Sequence, residues 1–377
     1  MSRKKLYVFF FIAVFLLASI FLILFPKFRE SRTEYKVDAE ASLLFRVFYK
    51  SFMDDSGGIY TNLRNDVPKV SGTATGHQML SESTGLMMLY ALRNGDQMLF
   101  DQQFSFLNKH LITKTGLVRW MVDLEDDSHD VSSNASIDDL RIIWALREAD
   151  RMWGQEKGRL YSKKAEKISV ALQKHNVTGG ILTDYFDWKS EQPADSVTSS
   201  YLDLKTIWDL AENDEDWKPV YESSLQILKE AALSNGLYKK TYKWKTGDWE
   251  PIESVHLVDT LYCAYHLAEV GKDVSPTIRL IETRMEAEGK LHGRLHPDGT
   301  SAGDLESPAV YALAIRLLDI VNPKHPIIEK LKQRLQDMAV SDSNSMYQGA
   351  FVHLPDLEGY SFDQLQSLLV EKKEQLL

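Results

Sequence analysis

The feature that most constrains this chain is a glycine-led turn that returns six times, about sixty residues apart. In each copy a Gly is followed by aliphatic and aromatic residues, a pattern typical of a short hairpin. The copies are GGIYTNL from Gly57, GLVRWMVD from Gly116, GGILTDYFD from Gly179, GLYKKTYKW from Gly236, GKLHGRLHPDG from Gly289 and GAFVHL from Gly349. A regular period of this length indicates one repeat architecture rather than several unrelated domains.

Between successive turns lie two helical patterns separated by a short polar break. The pairs fall at residues 81–94 with 96–111, 135–153 with 158–175, 198–210 with 217–233, 252–270 with 275–288, and 304–321 with 327–339, and single helices fall at 39–52 and 361–374. Joining the two singles gives six pairs. The pattern therefore predicts an all-α (α/α)6 toroid of twelve helices, with short β-hairpins at one rim. No linker rich in Pro, Gly or Ser interrupts residues 39–377, so we expect one domain there.

The N-terminal region carries a long apolar run, LYVFFFIAVFLLASIFLILF, from Leu6 to Phe25. About twenty such residues without a charge span a ~30 Å hydrocarbon core as a helix. Basic residues flank both ends, and those before the run favour a cytoplasmic N-terminus only weakly. We predict a cytoplasmic tail at residues 1–5, a single-pass cell-membrane anchor at 6–25, a linker at 26–38 and an extracytoplasmic domain beyond it. A cleaved signal peptide is the alternative.

Composition excludes several classes of protein. An apolar content of 44% allows a large core, and the net charge of −10 argues against a nucleic-acid partner, which requires a clustered basic surface. Cys263 is the single cysteine, which excludes an intramolecular disulfide and a CxxC site. The ten His residues show no HExxH spacing, so the sequence predicts no metal and no cofactor.

The repeat also predicts where a site should form. The first helix after each turn would be an inner helix, and the N-terminal ends of all the inner helices would face one rim. The acidic and aromatic residues near these starts are Glu82, Asp138, Asp139, Tyr201, Glu253, Glu306 and Tyr311. Acids with aromatic faces around a groove suit glycosidic cleavage. Acids in a first helical turn also complement the helix dipole, which is the structural alternative for each of them.

Two segments resemble glycoside hydrolase family 8. MLSESTGLMMLYAL resembles the family segment in which a Glu precedes an inner helix, and ASIDDLRIIWALREADRMWG resembles its second signature, A-S/T-D-A/G-D-L with a closing Trp. The resemblance implies an (α/α)6 toroid and an inverting glycosidase. It assigns the general acid to Glu82 and the acid that holds the sugar at the cleavage point to Asp139. Ile137 stands where the family has its first Asp, and Asp138 takes the small-residue position.

The resemblance leaves the catalytic base open between two carboxylates. The matching stretch is PIESVHLVDTLYCAYHLAEVG, where aligning His256 with the family's Arg puts Glu253 at the base position. Asp259 lies six residues on, deeper in the same predicted helix, and is the rival. Inversion implies carboxyl groups roughly 6.5–9.5 Å apart, with room for a water.

The remaining candidates are residues expected to contact substrate. Trp120 lies on a rim hairpin, and Tyr201 and Tyr311 lie near inner-helix starts where their rings could stack on sugars. Arg141 is positioned to orient a carboxylate. Asp138 and His256 complete the predicted substrate-binding set.

Together these features predict a membrane-anchored glycoside hydrolase that cleaves a β-linked, in particular β-1,4, extracellular polysaccharide with inversion. The expected partners are this polysaccharide, the membrane and the exopolysaccharide synthesis machinery. An inactive polysaccharide-binding protein that assists synthesis or export is the main alternative. A toroidal polysaccharide lyase is a third.

Overall fold

The computed structural model describes residues 35–38, 40–70, 72–126, 131–155 and 158–371. A compact unit extends over Ala39–Leu377. The predicted cytoplasmic tail and membrane anchor lie outside the described residues, as does most of the predicted linker. Within the described residues, no helix combines the length and apolar character that a membrane crossing needs.

Twelve α-helices form the described part of the chain. They are α1 Leu43–Phe52, α2 Ser81–Asn94, α3 Gln97–Phe106, α4 Ser136–Trp153, α5 Leu160–Asn176, α6 Leu204–Ala211, α7 Lys218–Ala231, α8 Leu257–Glu269, α9 Ser275–Glu288, α10 Pro308–Val321, α11 Ile327–Asp337 and α12 Ser361–Leu368. The even-numbered helices form an inner ring in which each contacts the next, and α12 contacts α2 to close it. Each odd-numbered helix packs on an inner neighbour. The predicted twelve-helix arrangement is confirmed.

The two rings differ in their apolar patterns. Inner helix α10 is apolar on nearly every side and almost wholly buried, as expected for a helix enclosed by others. Outer helix α11 buries only one stripe, formed by Ile327, Ile328, Leu331 and Leu335, and exposes charged residues on its other face. Burial of the shared apolar faces therefore holds the rings together.

The repeat glycines have a conformational reason. All six have positive φ, between 58° at Gly179 and 96° at Gly116, a region that side chains with a Cβ rarely enter. At Gly236 a Cβ would also lie 2.4 Å from the Pro276 carbonyl oxygen, so only Gly fits there. These turns return the chain from each outer helix to the rim where the next inner helix starts.

Small antiparallel sheets line this rim. The strands are β1 Met79–Leu80, β2 Met121–Val122, β3 Val177–Thr178, β4 Ile181–Leu182, β5 Phe186–Asp187, β6 Gln192–Pro193, β7 Ser196–Thr198, β8 Thr241–Lys243, β9 Asp248–Trp249, β10 Val255–His256 and β11 Arg294–Leu295. Some form local hairpins, such as β3–β4, whereas β1–β2, β7–β8 and β10–β11 pair segments of successive repeats.

Three predicted inner-helix starts were placed too early. Residues 198–201 belong to β7 and a 3-10 turn, Ser199–Tyr201, and residues 255–256 form β10, because these segments pair with neighbouring repeats. The third helix begins at Pro308 rather than at residue 304. Tyr201, Glu253 and Glu306 consequently lie before the helices and not in their first turns.

Candidate active site

Glu82 occupies the first turn of the first inner helix, α2. No side chain caps this helix, but the Ser81 amide donates a 3.0 Å hydrogen bond to the Trp120 carbonyl and so ties α2 to the strand of the next repeat. The Glu82 side chain is half-buried and makes no hydrogen bond or ion pair with another described residue. Its carboxyl group is thus held near the rim without a fixed partner.

Asp138, in the first turn of α4, is the carboxylate tied to this position. The Ser81 hydroxyl donates to Asp138 Oδ2 at 2.6 Å, and Arg141 Nη1 donates to Asp138 Oδ1 at 2.7 Å. Only 5% of Asp138 is exposed. Two donors therefore favour the ionised form of Asp138, although burial raises the pKa of this carboxyl group.

These surroundings raise the pKa of Glu82 to about 7. Burial is the main cause, the negative charge of Asp138 adds to it, and the Arg141 guanidinium opposes it. Because Asp138 has two donors and Glu82 has none, the proton of this acidic pair belongs on Glu82. The arrangement favours a protonated Glu82 beside an ionised Asp138.

Tyr201 lies where several acidic residues meet. Burial raises the pKa of its phenol, and the charges of Asp138, Asp184, Glu82 and Asp259 raise it further, so all four carboxyl groups act on one hydroxyl. Hydrogen bonds agree with this grouping, because Ser81 beside Glu82 bonds Asp138 and Ser200 beside Tyr201 bonds Asp259, so four different repeats contribute to the site.

Asp259 belongs to the first turn of α8 and has both oxygens engaged. Ser200 Oγ donates to Oδ1 at 2.8 Å, and Lys240 Nζ lies 2.8 Å from Oδ2. Its side chain is 20% exposed, which leaves access for a water molecule. Its rival, Glu253, is exposed in the loop before β10 and has no hydrogen-bond partner among the described residues.

His256 ends β10 between these two base candidates and is half-buried. Burial and the positive charges of Arg294 and Lys240 lower the pKa of its imidazole, and Asp259 opposes them. A neutral imidazole can both donate and accept a hydrogen bond, which suits contact with sugar hydroxyls.

Asp139 is placed differently from Asp138. It is fully buried, with Oδ1 accepting from the Val118 amide at 3.0 Å and Oδ2 accepting from Asn134 Nδ2 at 2.8 Å. Burial raises the pKa of this carboxyl group to about 8, against the two N–H donors. Asp139 therefore ties α4 to the preceding glycine turn and gives a sugar no exposed oxygen to bind.

The aromatic residues predicted to contact substrate differ in how much of their surface is exposed. Trp120 is half-buried, and its backbone adjoins the start of α2 beside Glu82. Tyr311 is fully buried: its hydroxyl accepts from the Leu291 amide at 2.8 Å and donates to Glu306, which is held by Arg334. The ring of Tyr311 therefore has no free face for a sugar, whereas Trp120 and Tyr201 retain exposed surface.

Several residues of the site were not predicted from the sequence. Ser81, Ser200 and Lys240 act as donors to the acids, and Asp184, whose charge acts on Tyr201, accepts hydrogen bonds from Ser196 and Thr198. Asp184 follows the Gly179 turn closely, which was a usable signal. The three donor residues carried no such sequence signal, because Ser and Lys are common on any protein surface.

An (α/α)6 toroid that holds a carboxyl group of raised pKa, a buried acid–arginine pair and aromatic rings at one rim is typical of carbohydrate-active toroidal proteins. The sequence matches the model of glycosyl hydrolases family 8 over residues 40–251, more than half of the chain. The chain belongs to this family, as its two signature segments predicted.

Individual relatives agree with this membership. The lipoprotein candidate YdaJ of Bacillus subtilis (strain 168) is 31% identical over 86% of this chain and 84% of its own length. Endoglucanase A of Acetivibrio thermocellus is 26% identical over 54% of this chain and 42% of its own length. Among solved structures, a novel alpha-amylase from Clostridium perfringens is 28% identical, with a TM-score of 0.78 over 88% of this chain and 98% of the amylase.

Proposed function

We propose that this protein is an inverting glycoside hydrolase with Glu82 as its general acid. The observation that carries the proposal is the pKa of Glu82, raised to about 7 beside the Asp138–Arg141 pair. A carboxyl group that keeps its proton near neutral pH can protonate a leaving glycosidic oxygen. Family membership supports the same chemistry.

We assign the general base to Asp259. Its charge acts on Tyr201 together with that of Glu82, and Ser200 and Lys240 fix the position of its carboxylate. In the reaction, Asp259 takes a proton from water, the water oxygen bonds to the anomeric carbon, and the glycosidic oxygen leaves with the proton of Glu82. The negative charge of Asp138 favours the protonated form of Glu82, and Arg141 holds Asp138 beside it.

We propose a β-1,4-linked extracellular polysaccharide as substrate, trimmed at the cell surface beside the machinery that makes it. The relationship to an endoglucanase supports this linkage. An α-1,4-glucan is the second candidate, because the chain spans nearly all of an alpha-amylase to which it is 28% identical. Both candidates use the same acid, so the substrate test is independent of the acid test.

The acid is tested by release of reducing ends from β-1,4- and α-1,4-glucans. Wild-type protein should release reducing ends from one of these two classes of glucan, and Glu82→Gln should be slower by a factor of about 10²–10⁴. The Gln variant should lose much less on an aryl glycoside whose leaving group needs no proton. Glycan binding with no more ends released than by Glu82→Gln would instead establish a binding protein. A product that absorbs in the ultraviolet would establish a lyase.

The base and the stereochemistry are tested together. Asp259→Asn should abolish cleavage and recover turnover with added azide, whereas Glu253→Gln should retain most activity. Azide rescue of Glu253→Gln alone would move the base to that residue. Proton NMR of the first product should show an inverted anomeric centre, and retention would exclude the mechanism.

We also propose that residues 6–25 anchor the protein with its catalytic unit outside the cell membrane. The uninterrupted apolar run and the relationship to a lipoprotein candidate support this location. Membrane fractions should retain the chain after alkaline carbonate extraction, and protease added to intact cells without a wall should degrade it. Release of the chain into the medium would instead indicate a cleaved signal peptide.

A further inference from the structure

A second cluster of polar residues lies inside the ring, away from Glu82. It borders a cavity of about 230 Å³ that is lined by residues of α2, α4, α8 and α10, together with Asp203 just before α6 and Leu369 just after α12. Arg141 forms one wall of this cavity and also donates to Asp138, so it separates the cavity from the acid pair.

Asp203, His266 and Glu269 meet at this cavity. Each offers one ligand atom, and these atoms all lie within 4.8 Å of one another. His266 Nδ1 is 3.9 Å from a carboxylate oxygen of Asp203 and 3.6 Å from one of Glu269. Both separations are too long for a direct hydrogen bond.

The imidazole of His266 is buried without a hydrogen-bond partner among the described residues. Its residue is 4% exposed, and neither ring nitrogen has a hydrogen-bond partner among the described residues. Buried polar groups are nearly always bonded, since an unpaired one costs roughly 1–3 kcal/mol. The His266 imidazole therefore faces two carboxylates at distances that leave space for a bound atom between the three groups.

We infer that Asp203, His266 and Glu269 bind a divalent transition-metal cation, with Zn²⁺ as the expected ion. Imidazole and carboxylate ligands suit Zn²⁺, and bonds of about 2.1 Å in a tetrahedral site place ligand atoms roughly 3.4 Å apart. The separations from His266 Nδ1 to Asp203 and to Glu269, 3.9 and 3.6 Å, need to shorten by about 0.5 and about 0.2 Å. The fourth position faces the cavity.

The surroundings of the three ligands suit a bound cation. Asp203 is already oriented, because it caps α6 by accepting from the Thr206 amide at 3.0 Å and from the Thr206 hydroxyl at 2.6 Å. Three arginines, Arg93, Arg141 and Arg316, also line this cavity. Arg141 donates to Asp138, and Arg316 donates to Gln366 and lies 4.6 Å from the ring centre of Tyr265. A divalent ion would neutralise the charges of both carboxylates.

Such an ion would fasten a segment of the active site. Residues 200–203 run beside α8, with Ser200 bonded to Asp259 at one end and Asp203 beside His266 at the other. The ion would join the end of α8 to the start of α6, and Tyr201 lies between these two attachments. This fastening role does not depend on which glycan is cleaved.

The test is metal binding by the full-length chain in detergent after treatment with a chelator. Calorimetry with Zn²⁺ should show one site per chain, and Co²⁺ should give visible absorption bands of a low-symmetry site. His266→Gln and Glu269→Gln should each weaken binding by at least about tenfold. His292→Gln should not, because that buried imidazole already bonds Glu288 at 2.6 Å.

Circular dichroism establishes that each variant is folded, and Glu269→Gln, at the end of α8, remains informative if His266→Gln is not. Zn²⁺ should also raise the melting temperature of wild-type protein and of His292→Gln but not of the two ligand variants. Equal Zn²⁺ affinity in all four chains would place the ion elsewhere and overturn the inference. The absence of a one-to-one site in folded wild-type protein would do the same.

Discussion

The hydroxyl of Ser81 donates a 2.6 Å hydrogen bond to Asp138, joining the residue before Glu82 to the first turn of the next inner helix. This bond fixes the spacing between two acids that come from different repeats. The charge of Asp138 can then raise the pKa of Glu82 without a direct contact between the carboxyl groups.

Asp138→Asn should move the pH profile. A general acid works only when protonated, so kcat/KM should fall as pH rises through about 7, the pKa of Glu82. Removing the Asp138 charge lowers that pKa, and the freed Arg141 lowers it further. The alkaline limb should therefore shift to lower pH, whatever the height of the profile. Asp216→Asn, an exposed substitution distant from the acids, is the control, and an unmoved limb would exclude the coupling.

Glu82→Gln should stabilise the fold in a pH-dependent way. The folded-state pKa of Glu82, about 7, lies above its unfolded value near 4.5, so the native state loses stability as pH rises through this window. At pH 8 the variant should therefore have a free energy of unfolding higher than that of wild type by about 1–3 kcal/mol, measured by urea denaturation. This difference should vanish near pH 4. Glu329→Gln, at the exposed start of α11, should show no such difference. A constant offset at both pH values would contradict the buried-acid assignment.

Asp139→Ala should act on stability rather than chemistry. It would leave the Val118 amide and Asn134 side chain without their buried acceptor, at a cost of about 2–4 kcal/mol. Urea denaturation measures the loss, and kcat of the folded fraction should stay within a few-fold of wild type. A stable variant with collapsed kcat would restore the sugar-holding role that family resemblance assigns to Asp139.

Tyr311→Phe should leave substrate affinity unchanged. The hydroxyl that it removes bonds the Leu291 amide and Glu306 inside the protein, so we expect a loss of about 1–3 kcal/mol of stability with KM within twofold of wild type. Tyr221→Phe on the outer helix α7 is the matched control for stability. A several-fold rise in KM with no change in stability would indicate that Tyr311 reaches the substrate.

The regular parts of this fold could be predicted from sequence because they depend on local patterns. Apolar periodicity and glycine turns gave α2 and α9 with the observed bounds. The predicted starts of α6, α8 and α10 were wrong because the residues before these helices pair with strands or side chains of neighbouring repeats. Such pairing depends on contacts some forty or more residues away, which no local pattern records.

Within the site, Glu82 could be singled out because the signature around it is continuous in sequence. The resemblance assigned the sugar-holding acid to Asp139, whereas Asp138 is the residue bonded to Ser81 beside Glu82. Neighbouring helix positions differ by about 100° in direction, so a shift of one residue changes which acid faces the site. The packed ring decides which of them faces the acid. Asp203 and His266 come from different repeats, so their proximity also required the three-dimensional structure.

Ring closure has a consequence for how the protein is made. The Ser83 hydroxyl, one residue after the acid, meets the Ser361 hydroxyl at 3.2 Å, and the Ser361 amide bonds the Thr61 carbonyl at 2.9 Å. The first inner helix thus receives its last neighbour from the far end of the polypeptide. In a nascent chain still on the ribosome, the helix that carries Glu82 would lack its last neighbour in the inner ring. Glycan cleavage by this acid would therefore be possible only after α12 has been synthesised.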